Sequence, residues 1–217
     1  MKVLIPVLAF YALVVYPAIH LIFSGNRILY HYGHIFYFTL ALAFALKYVS
    51  LEQLGFNKNN LRKTLTIGIL LGLLPVTGVF LMDSLLIKTG LSQSELFTGA
   101  DLRKPEEMGF YLSPAGNIFS IFFVPLIEQV FIMGWVVNNL LIKENIGRVI
   151  VSGGLIYSLL HFDLGIGSLF LGMITAGLLK YTGSIIPPIL MHIGFAIAEI
   201  AIVFSYPRLI SILVFFV

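Results

Sequence analysis

The sequence predicts an all-α integral membrane protein, a bundle of about seven to eight transmembrane helices, on three observations. The 217 residues are 59% hydrophobic and only 11% charged, with mean hydropathy +1.01, against roughly 45–50% apolar and about 25% charged in soluble domains. The apolar residues form long runs, and about 20 such residues cross a bilayer as a helix. The charged residues gather in the connectors between those runs. An ordinary soluble domain is excluded. The absence of cysteine excludes disulfides, thiolate zinc sites, iron–sulfur clusters and a cysteine nucleophile. The formal charge of +3 is scattered, with no run of Lys or Arg longer than two, so nucleic acid is not an expected partner.

The first span, Val3–Phe23, follows Lys2 and lacks the small-x-small cleavage pattern of a secretory signal peptide, so a retained signal-anchor is expected. A second span covers about Ile35–Val49, with an earlier start left open, followed by a polar connector, Ser50–Lys63. The third covers about Thr64–Ile87, with Gly68 and Gly72 as a small-xxx-small pair and Pro75 as a kink site. The longest polar stretch, Lys88–Asn117, reads as an extramembrane loop or short interfacial helix. Four more spans follow, at about Ile118–Ile142, Val149–Phe162, Ser168–Tyr181 and Ile185–Phe204, and the tail Leu209–Val217 is half a span. There is no repeat or long linker, so one polytopic membrane domain, 1–217, is expected. Assigning alternate connectors to two sides puts eight Lys and Arg on the side of the N-terminus and five on the other, which predicts a cytoplasmic N-terminus.

With ten carboxylates and five histidines in the chain, an ionisable group inside a span is informative, because its burial is costly unless it is used or paired. The candidates are Glu128, His161, His192 and Glu199, with His20 and Asp83 nearer span ends. Glu128 lies about ten residues from either end of its span, near the bilayer midplane. Pro125 just before it frees a carbonyl and bends the helix, making a cavity beside the acid plausible. Helical spacing puts Tyr157 and His161 on one face, and His192, Ala196 and Glu199 on another. Structural glue in membranes normally uses Ser, Thr or Asn at lower cost, which sets Glu128 apart. Glu199 is balanced between a functional residue and a solvated interfacial carboxylate. His20, His31 and His34 fall at or outside span ends, where headgroup water accounts for them. A buried Glu with two His supports proton handling: peptide-bond hydrolysis by water activation, or proton-coupled transport. No cofactor is identified from the sequence, and a divalent metal such as zinc stays open, although the short His-Glu-x-x-His motif is absent.

The order Glu128-Gln129-x-x-x-Met133-Gly134, then Tyr157-x-x-x-His161, then His192-x-x-x-Ala196 resembles the CPBP family, the CAAX prenyl-protease and bacteriocin-processing (Abi) intramembrane proteases. That family's pattern is Glu-Glu-x-x-x-Arg-Gly, Phe-x-x-x-His and His-x-x-x-Asn. The likeness covers about 118–204, and the connector with Leu54-Gly55-Phe56 is similar to family members too. It implies a helical bundle around a water-filled cavity, with catalytic Glu128 activating water, His161 assisting and His192 stabilising the oxyanion. The implied partners are the lipid bilayer and a membrane-embedded or lipidated peptide or protein substrate, and the implied setting is a bacterial or archaeal cell membrane. The chain departs at Gln129 and Met133, which together replace a carboxylate–guanidinium pair and so leave no unpaired buried charge. Ala196 replaces an oxyanion donor whose loss elsewhere costs about 10²–10³ in rate. The expected activity is intramembrane endopeptidase. Two rivals stand beside it: a catalytically silent homologue acting as a membrane scaffold or immunity protein, and a proton-coupled carrier, for which no half-to-half repeat is visible.

Overall fold

In hydrocarbon the backbone has only itself to hydrogen-bond, so unbroken apolar runs fold as helices. A computed structural model describes residues 3–57, 60–90, 114–161, 165–206 and 209, and among them every regular element is helical. The elements are α1 (Leu4–Ile22), α2 (Arg27–Ala45), α3 (Leu61–Thr89), α4 (Pro114–Leu141), α5 (Ile146–His161), α6 (Ile166–Thr182) and α7 (Ile186–Ser205). Five, α1 to α4 and α7, are long and apolar enough to cross a membrane, while α5 and α6 are apolar but shorter. This is an all-α, multi-pass architecture with seven described helices. Of the half-span Leu209–Val217 only Leu209 is described, and residues 91–113 of the long polar stretch also lie outside the described residues.

The largest boundary difference is in α2, which starts at Arg27, about two turns before the expected Ile35, and ends at Ala45. Asn26 caps it by accepting the Leu29 N–H at 3.1 Å. The Tyr- and His-rich first turns lower the hydropathy without breaking the helix. At the other termini, Asn60 and Gly90 flank α3 in left-handed conformations, Gly183 ends α6 the same way, and Pro187 and Pro188 occupy the first turn of α7.

Helix α4 is the enclosed centre: 61% of its apolar window is buried, against 17% for α3. Phe38 of α2 stacks on Phe131 of α4 with ring centroids 4.1 Å apart, and Tyr11 of α1 stacks on Tyr37. Around Pro125 the helix loosens to i→i+5 bonding at Phe119–Phe123 and again at Gln129–Val137, so the turn bearing Glu128 sits between two wide stretches. Such widening re-aims side chains and recurs at functional sites.

The Gly68/Gly72 pair packs against α7. A Cβ at Gly194 would overlap the Gly72 carbonyl, and one at Gly72 would meet the Leu190 carbonyl, so the two backbones touch. The contacts advance in step along both chains, making α3 and α7 parallel. Helices α5 and α6 instead pair antiparallel, with Gly154 against Met173 and Gly172 against Tyr157. The connector between α2 and α3 is also packed. Leu54 is buried with its carbonyl over Gly134, Gly55 takes φ +87° and accepts the Ile185 N–H at 2.9 Å, and Asn138 donates to the Gln53 carbonyl at 2.8 Å. These contacts tie the helix bearing Glu128 to the start of the helix bearing His192.

Candidate active site

Glu128 sits near the middle of α4, 3% exposed, with partners from three other helices around its carboxylate. His34 of α2 places Nε2 3.2 Å from Oε1. On the other oxygen, the Tyr157 hydroxyl of α5 donates at 3.1 Å, His161 Nε2 lies at 3.4 Å and His192 Nε2 of α7 at 3.8 Å. The three residues singled out from the sequence, Glu128, His161 and His192, therefore come together, along with Tyr157. Helical spacing explains the α5 pair, since residues 157 and 161 are one turn apart and their rings lie 4.5 Å apart.

His34 corrects the sequence reading. It is not a headgroup-wetted residue at a span end but one partly buried in α2, with its ring 5.7 Å from that of His161. The signal was the spacing His34, Phe38, Ala41 and Ala45, which follows one helical face; the last three are buried. His20 is elsewhere, its Nδ1 3.0 Å from the Tyr16 carbonyl and its ring against that of Tyr16. Asp83 is buried on α3, and Glu199 lines the wall of a cavity that His192 also faces.

The departing positions acquire specific surroundings. Met133 is fully buried in the apolar core, and no charge is stranded there. Gln129, also fully buried, places its amide nitrogen 3.1 Å from His192 Nδ1. An amide N–H donated to Nδ1 fixes the neutral tautomer with its hydrogen on Nε2, the nitrogen that faces Glu128. The motif marks position 129 as a departure, and the contact with His192 is what the sequence did not reveal.

His192 also faces a cavity of about 640 Å³ between α3, α6 and α7, with Ala196 and Glu199 on the same helix face. The cluster thus has a polar side, built from α2, α4 and α5, and an apolar side reached past His192. Chemically, a buried carboxylate among imidazoles and a phenol can exchange protons with water and present N–H donors to developing negative charge.

His34, Glu128 and His161 each offer a donor atom within 4.8 Å of the others. Donors on a tetrahedral zinc lie roughly 3.3–3.5 Å apart; here His34 addresses Oε1 at 3.2 Å and His161 addresses Oε2 at 3.4 Å, so the set holds such an ion only once the two rings draw together on it.

No curated protein and no solved structure matches the chain. Residues 112–198, less than half of the chain, match the family model described as Rce1-like, type II CAAX prenyl endopeptidase. That stretch contains Glu128, Tyr157, His161 and His192 and none of α2, so the family's signature and the site share α4, α5 and α7 while His34 comes from outside it. The likeness read from the three short motifs therefore stands: over 112–198 this multi-pass membrane chain is similar to the Rce1-like type II CAAX prenyl endopeptidases, a relationship consistent with the CPBP membrane proteases.

Proposed function

We propose that the chain is an intramembrane endopeptidase of the CPBP type, cleaving a membrane-embedded or lipidated peptide or protein tail. The convergence of His34, Tyr157, His161 and His192 on the buried carboxylate of Glu128 carries this reading. Glu128 takes a proton from water as the water oxygen adds to the scissile carbonyl carbon, and returns it to the amide nitrogen as the C–N bond breaks, while His161 orients the carboxylate and the water. His192 donates from Nε2 to the scissile carbonyl oxygen as it gains charge. Gln129 keeps that proton on Nε2. The family's Asn is replaced by Ala196, so Tyr157 and His192 are the neutral donors that face the reacting centre.

The test is hydrolysis. The purified protein in lipid, given an apolar peptide with a fluorophore and a quencher on either side of the scissile bond, releases product, and Glu128→Gln loses it. Equal release from the variant overturns the mechanism. Silence from both proteins, with partner-dependent function retained by both, favours the scaffold reading.

The donor set His34, Glu128 and His161 favours one second reading, a bound divalent metal such as zinc. Those three residues would hold it, and a bound zinc would polarise a carbonyl and acidify water. Glu128 is then a ligand, with His192 left to donate. Elemental analysis distinguishes the readings: stoichiometric zinc that falls in His34→Ala supports the metal, and full activity after chelation rejects it.

A further inference from the structure

The cavity between α3, α6 and α7 has an uneven lining. Pro75, Val79, Met82, Phe170 and Ile174 represent an almost wholly apolar wall, in which His192 and Glu199 are the ionisable residues. The two stand on one face of α7, seven residues apart, about 10 Å along the axis. His192 is held by Gln129 and faces Glu128. Glu199 is partly buried and makes no hydrogen bond or ion pair within the described protein. A carboxylate on an apolar wall inside a membrane protein is expensive to keep without a partner. A lipid tail would fill the space and leave that carboxylate uncompensated. An apolar segment bearing one cation would satisfy both wall and acid.

We propose that this cavity is the substrate-recognition subsite, and that Glu199 selects an apolar peptide segment carrying a single Lys or Arg side chain. The inference rests on the peptidase reading for what happens at His192, and on the cavity alone for what binds. An extended chain advances about 3.3–3.6 Å per residue, so the 10 Å between His192 and Glu199 places the basic residue about three positions from the scissile bond. Charge pairing in a low-dielectric pocket then sets the register of the substrate as well as its affinity.

Binding tests this without requiring turnover. Full-length protein in phosphatidylcholine nanodiscs is titrated with fluorescein-labelled apolar peptides that are identical except at one position, which carries Lys, norleucine or Glu. Anisotropy is expected to show the Lys peptide bound at least tenfold more tightly than the norleucine peptide. Glu199→Gln erases that difference, and Glu199→Lys turns the preference towards the Glu peptide. Gly78→Leu, at a position with open space where a Cβ would go, fills the cavity and weakens all three. Equal binding of the Lys and norleucine peptides to the wild type overturns the proposal, as does a Lys preference that survives in Glu199→Gln. Should Glu199→Gln fail to fold, the wild-type comparison of Lys with norleucine decides alone. Lys-selective binding with no cleavage of any peptide upholds the subsite while removing the peptidase reading. Cleavage of all three peptides with equal affinity does the reverse.

Discussion

Glu128 and Glu199 are both carboxylates in the middle stretches of long apolar helices, yet their surroundings are opposite. Glu128 is ringed by a tyrosine hydroxyl and three imidazoles drawn from α2, α5 and α7. Glu199, on the helix that also carries His192, faces an apolar wall and makes no hydrogen bond or ion pair among the described residues. Burial alone therefore says little about a membrane carboxylate. What separates the two is whether the described residues supply a partner for the charge.

Substituting the better-partnered acid has the largest expected effect. Glu128→Gln keeps the shape and removes the base, so the rate of product release falls by about 10²–10⁴-fold while peptide binding at the cavity persists; parallel loss of both would merge the two acids into one site. Next is the backbone contact that holds α7, and with it both His192 and Glu199, against α3. Gly194→Leu drives a side chain into the Gly72 carbonyl, and thermal unfolding in detergent is expected to show a loss of about 2–3 kcal/mol. Peptide binding, with its cavity wall on α3, is lost before the contacts on Glu128.

A smaller change follows from uncoupling Gln129. In Gln129→Leu the His192 tautomer is no longer fixed, and kcat is expected to drop about tenfold with KM little altered, by the scale of one hydrogen bond to a working group. A rise in KM with unchanged kcat would assign Gln129 to substrate binding instead. The scale ends at the exposed pair Glu144–Arg148, whose N···O distance of 2.6 Å is the shortest among the chain's described ion pairs. Glu144→Gln is expected to shift stability by less than about 0.5 kcal/mol and to leave hydrolysis unchanged, because water already solvates both groups. A short distance does not make a strong interaction when the surroundings are wet.

The sequence made the fold class legible because hydrocarbon admits few backbone solutions, and runs such as those of α3 and α7 satisfy it plainly. It was poorer at boundaries where function intrudes. The opening turns of α2, Arg27 to His34, carry tyrosines and histidines that lower its window hydropathy to 1.3, against 2.3 for α3. Those same residues include the imidazole that touches Glu128. The property that hid His34 is thus the property that brought it to the site. The grouping of Glu128, His161 and His192 was suggested by motif order, but their distances depend on contacts far apart in the chain, such as Leu54 over Gly134 and Gly55 on Ile185. No periodicity shows those. Gln129 reads from the sequence as a lost charge, and only its geometry against His192 shows the contact it makes.

The unequal lengths of the helices have a further consequence for the surrounding lipid. At about 1.5 Å per residue, the 17 residues of α6, bounded by Gly165 and Gly183, extend roughly 26 Å, while the 29 of α3 extend about 43 Å. A hydrocarbon slab of about 30 Å is too thick for the first and too thin for the second. The bilayer then dips beside α6, or that helix lies deep, while α3 tilts or thickens its own lipid shell. Helix α6 lines the cavity that His192 faces, so the shortened flank brings the headgroup layer nearest to that side of the cluster. Bilayer thickness then becomes a setting on how much water the site receives, with thin membranes wetting it and thick ones drying it.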